Sequence, residues 1–503
     1  MHIEEVLRGV GLVRHTGSSV DVISIEYDSR KVAPGALFVA MQGGTTDGNR
    51  YIASAIERGA SAVVSDSAMM FMEAAGKYPK IAVAEVAHGR RALAAISSNF
   101  HQHPEKKLAL SGVTGTNGKT TTAFLLDAML NAADRKTVLV GTIEYHVAGA
   151  VEESPHTTPE SRDLLELFAR GVSAGATEAV MEVSSHSLEQ GRVWSLPFDV
   201  AVFTNLTRDH LDYHVTMEAY FAAKRMLFDG SNGAVPRVSV VNADDPYGAE
   251  LAIKARKAGS EVFSYGLRAG EIRADDIQMS ATGMGFTLVA PHGSVMIRTR
   301  LTGKVNVYNL LASSAAAHAR GLTLEEIATG AASLACVPGR FQTVDAGQPF
   351  TVVVDYAHTD DALRNLIALA REFVKPANGR VITLFGCGGD RDRTKRSLMG
   401  RAAGEGSDFV VLTSDNPRSE EPEAILRDVL PGLGATGVQF VAEADRAKAI
   451  QIAIEQARPG DIVLLAGKGH EKTQTLHDRI IHFDDVEIAA SEIHALTQSG
   501  AKR

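Results

Sequence analysis

The sequence predicts an α/β protein of three domains, with a doubly wound, mostly parallel central sheet that carries a phosphate-binding P-loop. Three observations lead there: chain length, the rhythm of apolar runs, and residues 111–122. At 503 residues the chain is too long for one hydrophobic core, and ordinary domain sizes give about three. Short apolar runs alternate with helical patterns along the whole chain. That is the βα rhythm of parallel sheets, whose ligands sit at the strands' carboxyl ends.

Taken in order, residues 1–103 hold the strand-like runs Val22–Ile25, Ala36–Ala40 and Ala62–Val64 between helical stretches such as Ala53–Arg58 and Arg90–Ser98. This reads as a small α/β domain that ends where Pro104 interrupts helix continuation. Residues 104–336 form the central domain, with buried-type runs at Leu108–Val113, Thr137–Val140, Ala179–Val183, Val200–Phe203 and Val238–Val241. A boundary falls at Cys336-Val337-Pro338-Gly339. Residues 337–503 make the third α/β domain, with strands expected at Phe350–Val354, Val381–Phe385, Phe409–Leu412 and Ile462–Ala466. No fixed-period repeat or low-complexity segment interrupts this order.

Residues 111–122 read Ser-Gly-Val-Thr-Gly-Thr-Asn-Gly-Lys-Thr-Thr-Thr, placed between an apolar strand and a helical pattern. Backbone N–H groups and the positive end of a helix then face an anion; Lys119 reaches the terminal phosphates, and the Thr120 hydroxyl suits Mg²⁺. The first glycine of the generic P-loop would fall at Val113, and the nearest one is Gly112. An ordinary glycine-rich turn with a solvated lysine is the bland alternative, and the strand-loop-helix context argues against it.

Composition narrows the function classes. A net charge of −9, with basic residues spread along the chain, gives no footprint for nucleic acid. No apolar run could span a bilayer and the first residues, Met-His-Ile-Glu-Glu, are not a signal peptide, so a cytoplasmic protein with no membrane partner is expected. Cys336 and Cys387 fit a reducing compartment and read as packing residues.

Polar groups collect where strands should end: Glu182 and Ser184-Ser185-His186 after one run, Asn205 through His214 after another. Near a triphosphate, such carboxylates and imidazoles are candidate Mg²⁺ or phosphate contacts. Taken singly, Asp209, Asp212 and His214 read as caps or satisfied loop residues. By pattern alone Lys224 is a solvated helix lysine.

Five motifs stand in order: Thr114 to Thr121; Asn205-Leu206-x-x-Asp209-His210-Leu211-Asp212-x-His214; Gly303-x-x-Asn306-Val307-Tyr308-Asn309; Pro338-Gly339-Arg340; and Asp355-Tyr356-Ala357-His358-Thr359. Together they resemble the signatures of the Mur ligases, ATP-dependent amide-forming enzymes of peptidoglycan precursor synthesis. The resemblance runs from Asp28-Ser29-Arg30 to Gly467-Lys468-Gly469-His470-Glu471. Within the family the chain looks most like the branch that adds a diamino acid to UDP-N-acetylmuramoyl-L-alanyl-D-glutamate.

The resemblance implies an N-terminal UDP-binding domain, a central ATP domain and a Rossmann-like C-terminal domain for the amino acid, working as a monomer. It places Ser29, Gly44, Thr45 and Thr46 on the UDP end, and His156, Thr157, Thr158, Ser184, Gln190 and Arg192 on the muramyl peptide. For ATP it points to Gly115, Thr116, Asn117, Gly118, Lys119, Thr120, Thr121, Asn306 and Asn309. Thr120, Glu182 and His210 would surround Mg²⁺, Arg340 and Asp355 would come from the following segment, and Lys224 matches the lysine that the family carbamylates. A carbamate turns a cation into a carboxylate able to bind Mg²⁺ beside phosphates.

Asp415-Asn416-Pro417-Arg418 resembles the signature of the meso-diaminopimelate-adding members. An arginine fork can hold the distal carboxylate that lysine lacks. Arg391, Gly467 and Glu471 would complete the amino-acid site. The rival readings are a lysine-adding Mur ligase, a folylpolyglutamate synthase-like ligase, a P-loop phosphohydrolase, and an ATP-dependent binding protein without catalysis. Asp360 stands where the family pattern has proline, and Thr394 and Ser397 replace a glycine and a proline.

Overall fold

The structure, a computed structural model, describes residues 1–44, 46–280, 282–375 and 378–500. The chain divides into two compact units: Met1–Ile277 with Gly285–Arg298 and Lys304–Leu334, and Gln278–Met284 with Thr299–Gly303 and Ala335–Arg503.

The first unit opens with strands β1 (Leu12–Thr16), β2 (Ser24–Glu26), β3 (Ala36–Ala40), β4 (Ala62–Ser65) and β5 (Ala82–Val86). They form a sheet in the order β1-β5-β4-β3-β2, parallel except for β1 against β5. Its larger sheet contains β6 (Ala109–Thr114), β7 (Thr137–Val140), β8 (Glu144–Val147), β9 (Ala150–Glu153), β10 (Glu178–Glu182), β11 (Phe198–Phe203), β12 (Val238–Asn242) and β13 (Glu261–Tyr265). The order is β13-β12-β11-β6-β10-β7-β8-β9, and only the β7-β8 and β8-β9 pairs are antiparallel.

Strand β6 thus lies between β10 and β11, which both come later in the chain. The crevice at the carboxyl ends of such a trio is where open α/β sheets bind ligands. The helix that follows it, Lys119–Ala132, buries Ala123 to Leu126, Met129 and Leu130 and is covered by helices Lys304–Ala319 and Leu324–Ser333. Strands β14 (Arg273–Ser280), β15 (Gly283–Ala290) and β16 (Gly293–Thr299) make a small sheet in that order.

In the second unit β17 (Gln342–Val344), β18 (Thr351–Asp355), β19 (Val381–Cys387), β20 (Phe409–Ser414), β21 (Gln439–Ala442) and β22 (Ile462–Ala466) pair in the order β17-β18-β22-β19-β20-β21. All pairs but β17-β18 are parallel. A hairpin of β23 (Thr473–Thr475) and β24 (Ile480–His482) follows. Apolar clusters lie on both faces of the sheet, one around Val353, Phe385 and Leu464, the other around Val352, Leu384 and Leu465. Alternate residues of buried strands thus supply opposite faces.

The three departures from the family pattern fall in the first turns of two helices. Asp360 opens helix Asp360–Val374 behind the Thr359 cap, a position that favours proline or an acidic side chain alike. Thr394 likewise opens helix Thr394–Gly406, its amide donating to Asp392 Oδ1 at 2.9 Å, and Ser397 lies inside that helix. One cysteine corrects the sequence expectation. Cys387 is buried against Met399, whereas Cys336 is exposed and packs no core.

Candidate active site

The P-loop occupies the turn between β6 and helix Lys119–Ala132. Gly118 caps that helix at φ +86°, and a Cβ there would stand 2.4 Å from Asn309 Oδ1. Only glycine accepts both the backbone and the approach. The loop is held from β11's end, because the Thr116 amide donates to the Asn205 carbonyl at 2.9 Å and the Asn117 amide to Asn205 Oδ1 at 3.0 Å. Asn205 opens the second of the ordered motifs, and its place directly after β11 is the sequence signal for this loop-holding role.

Lys119 Nζ donates to the Gly115 and Thr116 carbonyls, at 2.9 Å each. Asn309 and Asn306, on helix Lys304–Ala319, are buried and bonded to each other, and Thr122 Oγ1 donates to Asn309 Oδ1 at 3.4 Å. Thr121 is buried in the first turn beside Thr120.

Glu182 closes β10 with only 1% of its surface exposed. Its carboxylate accepts from Thr120 Oγ1 at 3.0 Å, from the Thr142 amide at 2.7 Å and from Thr142 Oγ1 at 3.1 Å. The Thr142 hydroxyl also meets Thr157 Oγ1 at 3.1 Å, so the phosphate loop is joined to the predicted peptide-binding residues. Sequence reading passed over Thr142, although it follows β7 just as the loop follows β6.

Those residues form one chain of contacts. Thr158 Oγ1 donates to the Glu182 carbonyl at 2.9 Å and accepts from the Ser184 amide at 3.2 Å. Arg192 donates to the Thr158 carbonyl and to Gln190 Oε1, and its guanidinium lies 3.2 Å from Glu160. His156 enters only through its carbonyl, which accepts from Tyr145; its side chain is exposed. Ser29 lies buried in a 3₁₀ turn after β2, and after β3 the Gly43 amide, next to Gly44, donates to the Thr46 carbonyl at 2.9 Å. Thr45 and the side chain of Asp212 lie outside the described residues.

Lys224 overturns the surface-lysine expectation. It is 1% exposed, donates from Nζ to the Gly115 carbonyl at 2.8 Å, and lies 4.5 Å from the centre of the Tyr220 ring. Burial drives its pKa well below the ordinary lysine value; Lys119 pushes the same way and Asp209 opposes. His210, at φ +52°, stands edge-on to His186 at 5.1 Å. Desolvation also lowers its pKa, with Asp209 opposing.

The second unit brings Arg340 and Asp355 together. Asp355 accepts from the Phe341 amide at 2.7 Å and the Ala357 amide at 2.9 Å, and the Arg340 guanidinium lies 4.9 Å from the Tyr356 ring centre. Burial raises the Asp355 carboxyl pKa while Arg340 pulls it down.

Beyond β20, Asp415 to Arg418 form a bend that ends with Arg418 at φ +53°. Arg418 Nη1 donates to the Gly389 carbonyl at 2.7 Å. A Cβ on Gly388 would stand 3.0 Å from Arg418 Nη1 and 3.6 Å from Arg391 Cγ, so both arginines flank the same turn. Asn416 Nδ2 donates to Glu471 Oε2 at 2.7 Å, and a Cβ on Gly467 would reach Asp415 Oδ2 at 2.8 Å.

Three buried cations here escaped the sequence reading: Lys468, Arg396 and Arg446. Arg446 forms a fully buried pair with Asp485 and donates to the carbonyls of Ser414 and Ala466, the last residues of β20 and β22. Breaking such a pair from one side costs about 3–5 kcal/mol.

Oxygen donors at Thr120 and Glu182 suit a hard cation. Among the described residues no three His, Cys, Asp or Glu side chains converge on a metal position. That donor set fits Mg²⁺, which usually takes one or two carboxylates and completes its shell with phosphate and water.

The family model for the Mur ligase middle domain matches residues 113–317, that for the Mur ligase glutamate ligase domain matches 339–469, and that for the Mur ligase family catalytic domain matches 21–101. The UDP-N-acetylmuramoyl-L-alanyl-D-glutamate--2,6-diaminopimelate ligase of Solibacter usitatus is 52% identical over 97% of both chains. Its counterpart from Geobacillus thermodenitrificans is 44% identical over 95% of this chain and 96% of its own. A solved structure of a ligase of the same name superposes with TM-score 0.67 and 34% identity over 95% of each chain. A folylpolyglutamate synthase from Mycobacterium tuberculosis, 18% identical and covering 80% of this chain and 95% of its own, shares the fold with TM-score 0.60.

Proposed function

Since the chain belongs to the Mur ligase family, we propose that it joins meso-diaminopimelate to the D-glutamate γ-carboxylate of UDP-N-acetylmuramoyl-L-alanyl-D-glutamate, cleaving ATP to ADP and phosphate. One observation carries this reading beyond ATP hydrolysis. The bend Asp415–Arg418 is a built frame, bonded to Glu471 and flanked by Arg391, and it offers a guanidinium fork where a distal carboxylate can dock. A bare phosphohydrolase needs no such frame.

A carboxylate is a poor electrophile. Transfer of the γ-phosphoryl group makes an acyl phosphate, and the incoming amine attacks its carbonyl carbon. The tetrahedral intermediate then expels phosphate as the amide forms, with the amine proton lost to solvent or a base. The loop amides and Lys119 hold the phosphates, and Asn306 and Asn309 support the nucleotide side of the loop. Thr157, Thr158, Ser184, Gln190 and Arg192 position the peptide so that its carboxylate faces the phosphoryl group. Arg340 and Asp355 are read as nucleotide-binding residues, and Ser29 with Gly44–Thr46 as holding the UDP end.

Mg²⁺ would be held by Thr120, Glu182, His210 and a carbamylated Lys224, and would neutralise charge on the transferring phosphoryl group. An uncharged Lys224 amine adds CO₂ to give the carbamate and a proton. Burial, which lowers its pKa, favours that uncharged form. We assign residues 1–103, 104–336 and 337–503 to UDP, ATP and amino-acid binding respectively, and place the monomer in the cytoplasm with small molecules as its only partners.

The test is phosphate release with UDP-muramyl dipeptide and a panel of amines. Release should require both the dipeptide and an amine, with meso-diaminopimelate far ahead of L-lysine in the native enzyme and that lead lost in Arg418→Ala. Equal rates with lysine would transfer the reading to a lysine-adding ligase. Turnover on glutamate-extended folates would favour a folylpolyglutamate synthase, and turnover with ATP alone a phosphohydrolase.

A further inference from the structure

Lys468 lies in the segment Gly467–Glu471 of the proposed diamino-acid site, yet its side chain is wholly buried. A buried ammonium is tolerated when each of its protons finds an acceptor. Here three protons meet three acceptors: the Thr473 carbonyl at 2.6 Å, Glu471 Oε2 at 3.0 Å and Asn416 Oδ1 at 3.3 Å. With its donors committed, Lys468 is built to hold its neighbours rather than to touch a ligand.

Those neighbours are fixed together. Asn416 Oδ1 also accepts from the Thr475 amide at 2.9 Å, which sets the orientation of the carboxamide and turns Nδ2 toward Glu471 Oε2 at 2.7 Å. Two donors therefore converge on one oxygen of Glu471. The Glu471 side chain keeps 30% of its surface exposed, and no described residue donates to its second oxygen, Oε1. An outward carboxylate oxygen is the natural acceptor for an ammonium, the group that a diamino acid brings in duplicate. On the same bend, the Arg418 amide donates to the Thr475 carbonyl at 3.1 Å, so the guanidinium fork and the carboxylate share one scaffold.

We propose that Lys468 is the positioning residue of the diamino-acid site: it locks Asn416 and Glu471 into one hydrogen-bonded unit that presents Glu471 Oε1 to an ammonium of the incoming amine. The inference rests on reading Glu471 as a diamino-acid contact. Lys468 then acts on substrate only through Glu471, and its removal and the removal of the Glu471 charge share one effect.

A double-mutant cycle tests this, using Lys468→Met, Glu471→Gln and the pair, with steady-state ligation measured at saturating ATP and UDP-muramyl dipeptide. Lys468→Met should raise KM for diaminopimelate by about 10-fold or more, the worth of a hydrogen bond to a charged group. KM for ATP and for the dipeptide should stay nearly unchanged, and kcat should fall less than the diaminopimelate KM rises. The double variant should be no worse than Glu471→Gln alone. Should Lys468→Met fail to fold, the double variant, which removes both charges together, still allows the comparison with Glu471→Gln. An unchanged diaminopimelate KM in Lys468→Met, multiplying effects in the double, or losses shared equally among all three substrates would overturn the proposal. A normal diaminopimelate KM in Glu471→Gln would remove the reading beneath it as well.

Discussion

Two lysines meet at one carbonyl of the phosphate loop. Lys119 and Lys224 both donate to the Gly115 carbonyl, but they differ in surroundings: Lys119 belongs to the loop itself, while Lys224 is sealed under it against Tyr220. Lys119→Ala should abolish ligation while thermal unfolding and binding of the UDP substrate stay as in the native enzyme, because the charge that meets the terminal phosphates is gone; ligation retained at saturating ATP would contradict that role. Lys224→Ala should also lose activity, and acetate or formate at high concentration should restore part of it by standing in for the carbamate carboxylate. No rescue by either anion, in a variant shown to be folded, would return Lys224 to a purely structural role. The loop lysine was legible from spacing alone. The burial of Lys224 was not, since nothing in Ala222-Ala223-Lys224-Arg225 separates a solvated helix lysine from an enclosed one.

At the level of elements, the turn Gly388–Asp392 and the turn Arg418–Glu420 are stitched together by charge. The Asp390 amide donates to Glu420 Oε1, Ser419 donates to Asp390, and Arg396 holds Glu420 through both terminal nitrogens. Arg396 keeps the Glu420 carboxyl at about 2, well below its ordinary 4.5. A carboxyl whose folded pKa is depressed adds stability that is complete above the ordinary value and drains away as pH falls toward the folded one. Glu420→Gln should therefore lower the urea midpoint at neutral pH, and the gap from native protein should narrow between 4.5 and about 2; a gap that stays constant over that range would show that the pairing contributes nothing. Strands such as Ala36–Ala40 and Ile462–Ala466 were legible because continuous apolar runs mark strands buried on both faces. The hairpin β8-β9 and the small sheet of β14 to β16 were missed for the converse reason. β15 alternates intermediate and buried positions along its length, a period-2 pattern that a search for apolar runs does not register.

For the molecule as a whole, membership of the Mur ligase family followed from ordered motifs, whereas the buried cations of the second unit did not. Lys468, Arg396 and Arg446 draw their acceptors from segments distant in the chain: Arg446 alone reaches Ser414, Ala466 and Asp485. Such groups look like surface cations until the fold assembles around them. The clasp of Asn205 on the phosphate loop has a consequence in time as well as in space. The loop takes its shape from a residue 88 positions downstream, and β6 pairs with β11 across that same long intervening stretch of chain. Non-local closure of this kind comes late and slowly. During refolding from urea, helical circular dichroism should return before a fluorescent ADP analogue can bind, and simultaneous recovery of both signals would show that the loop forms by itself. The expected outcome is a phosphate loop that is among the last parts of the chain to take shape.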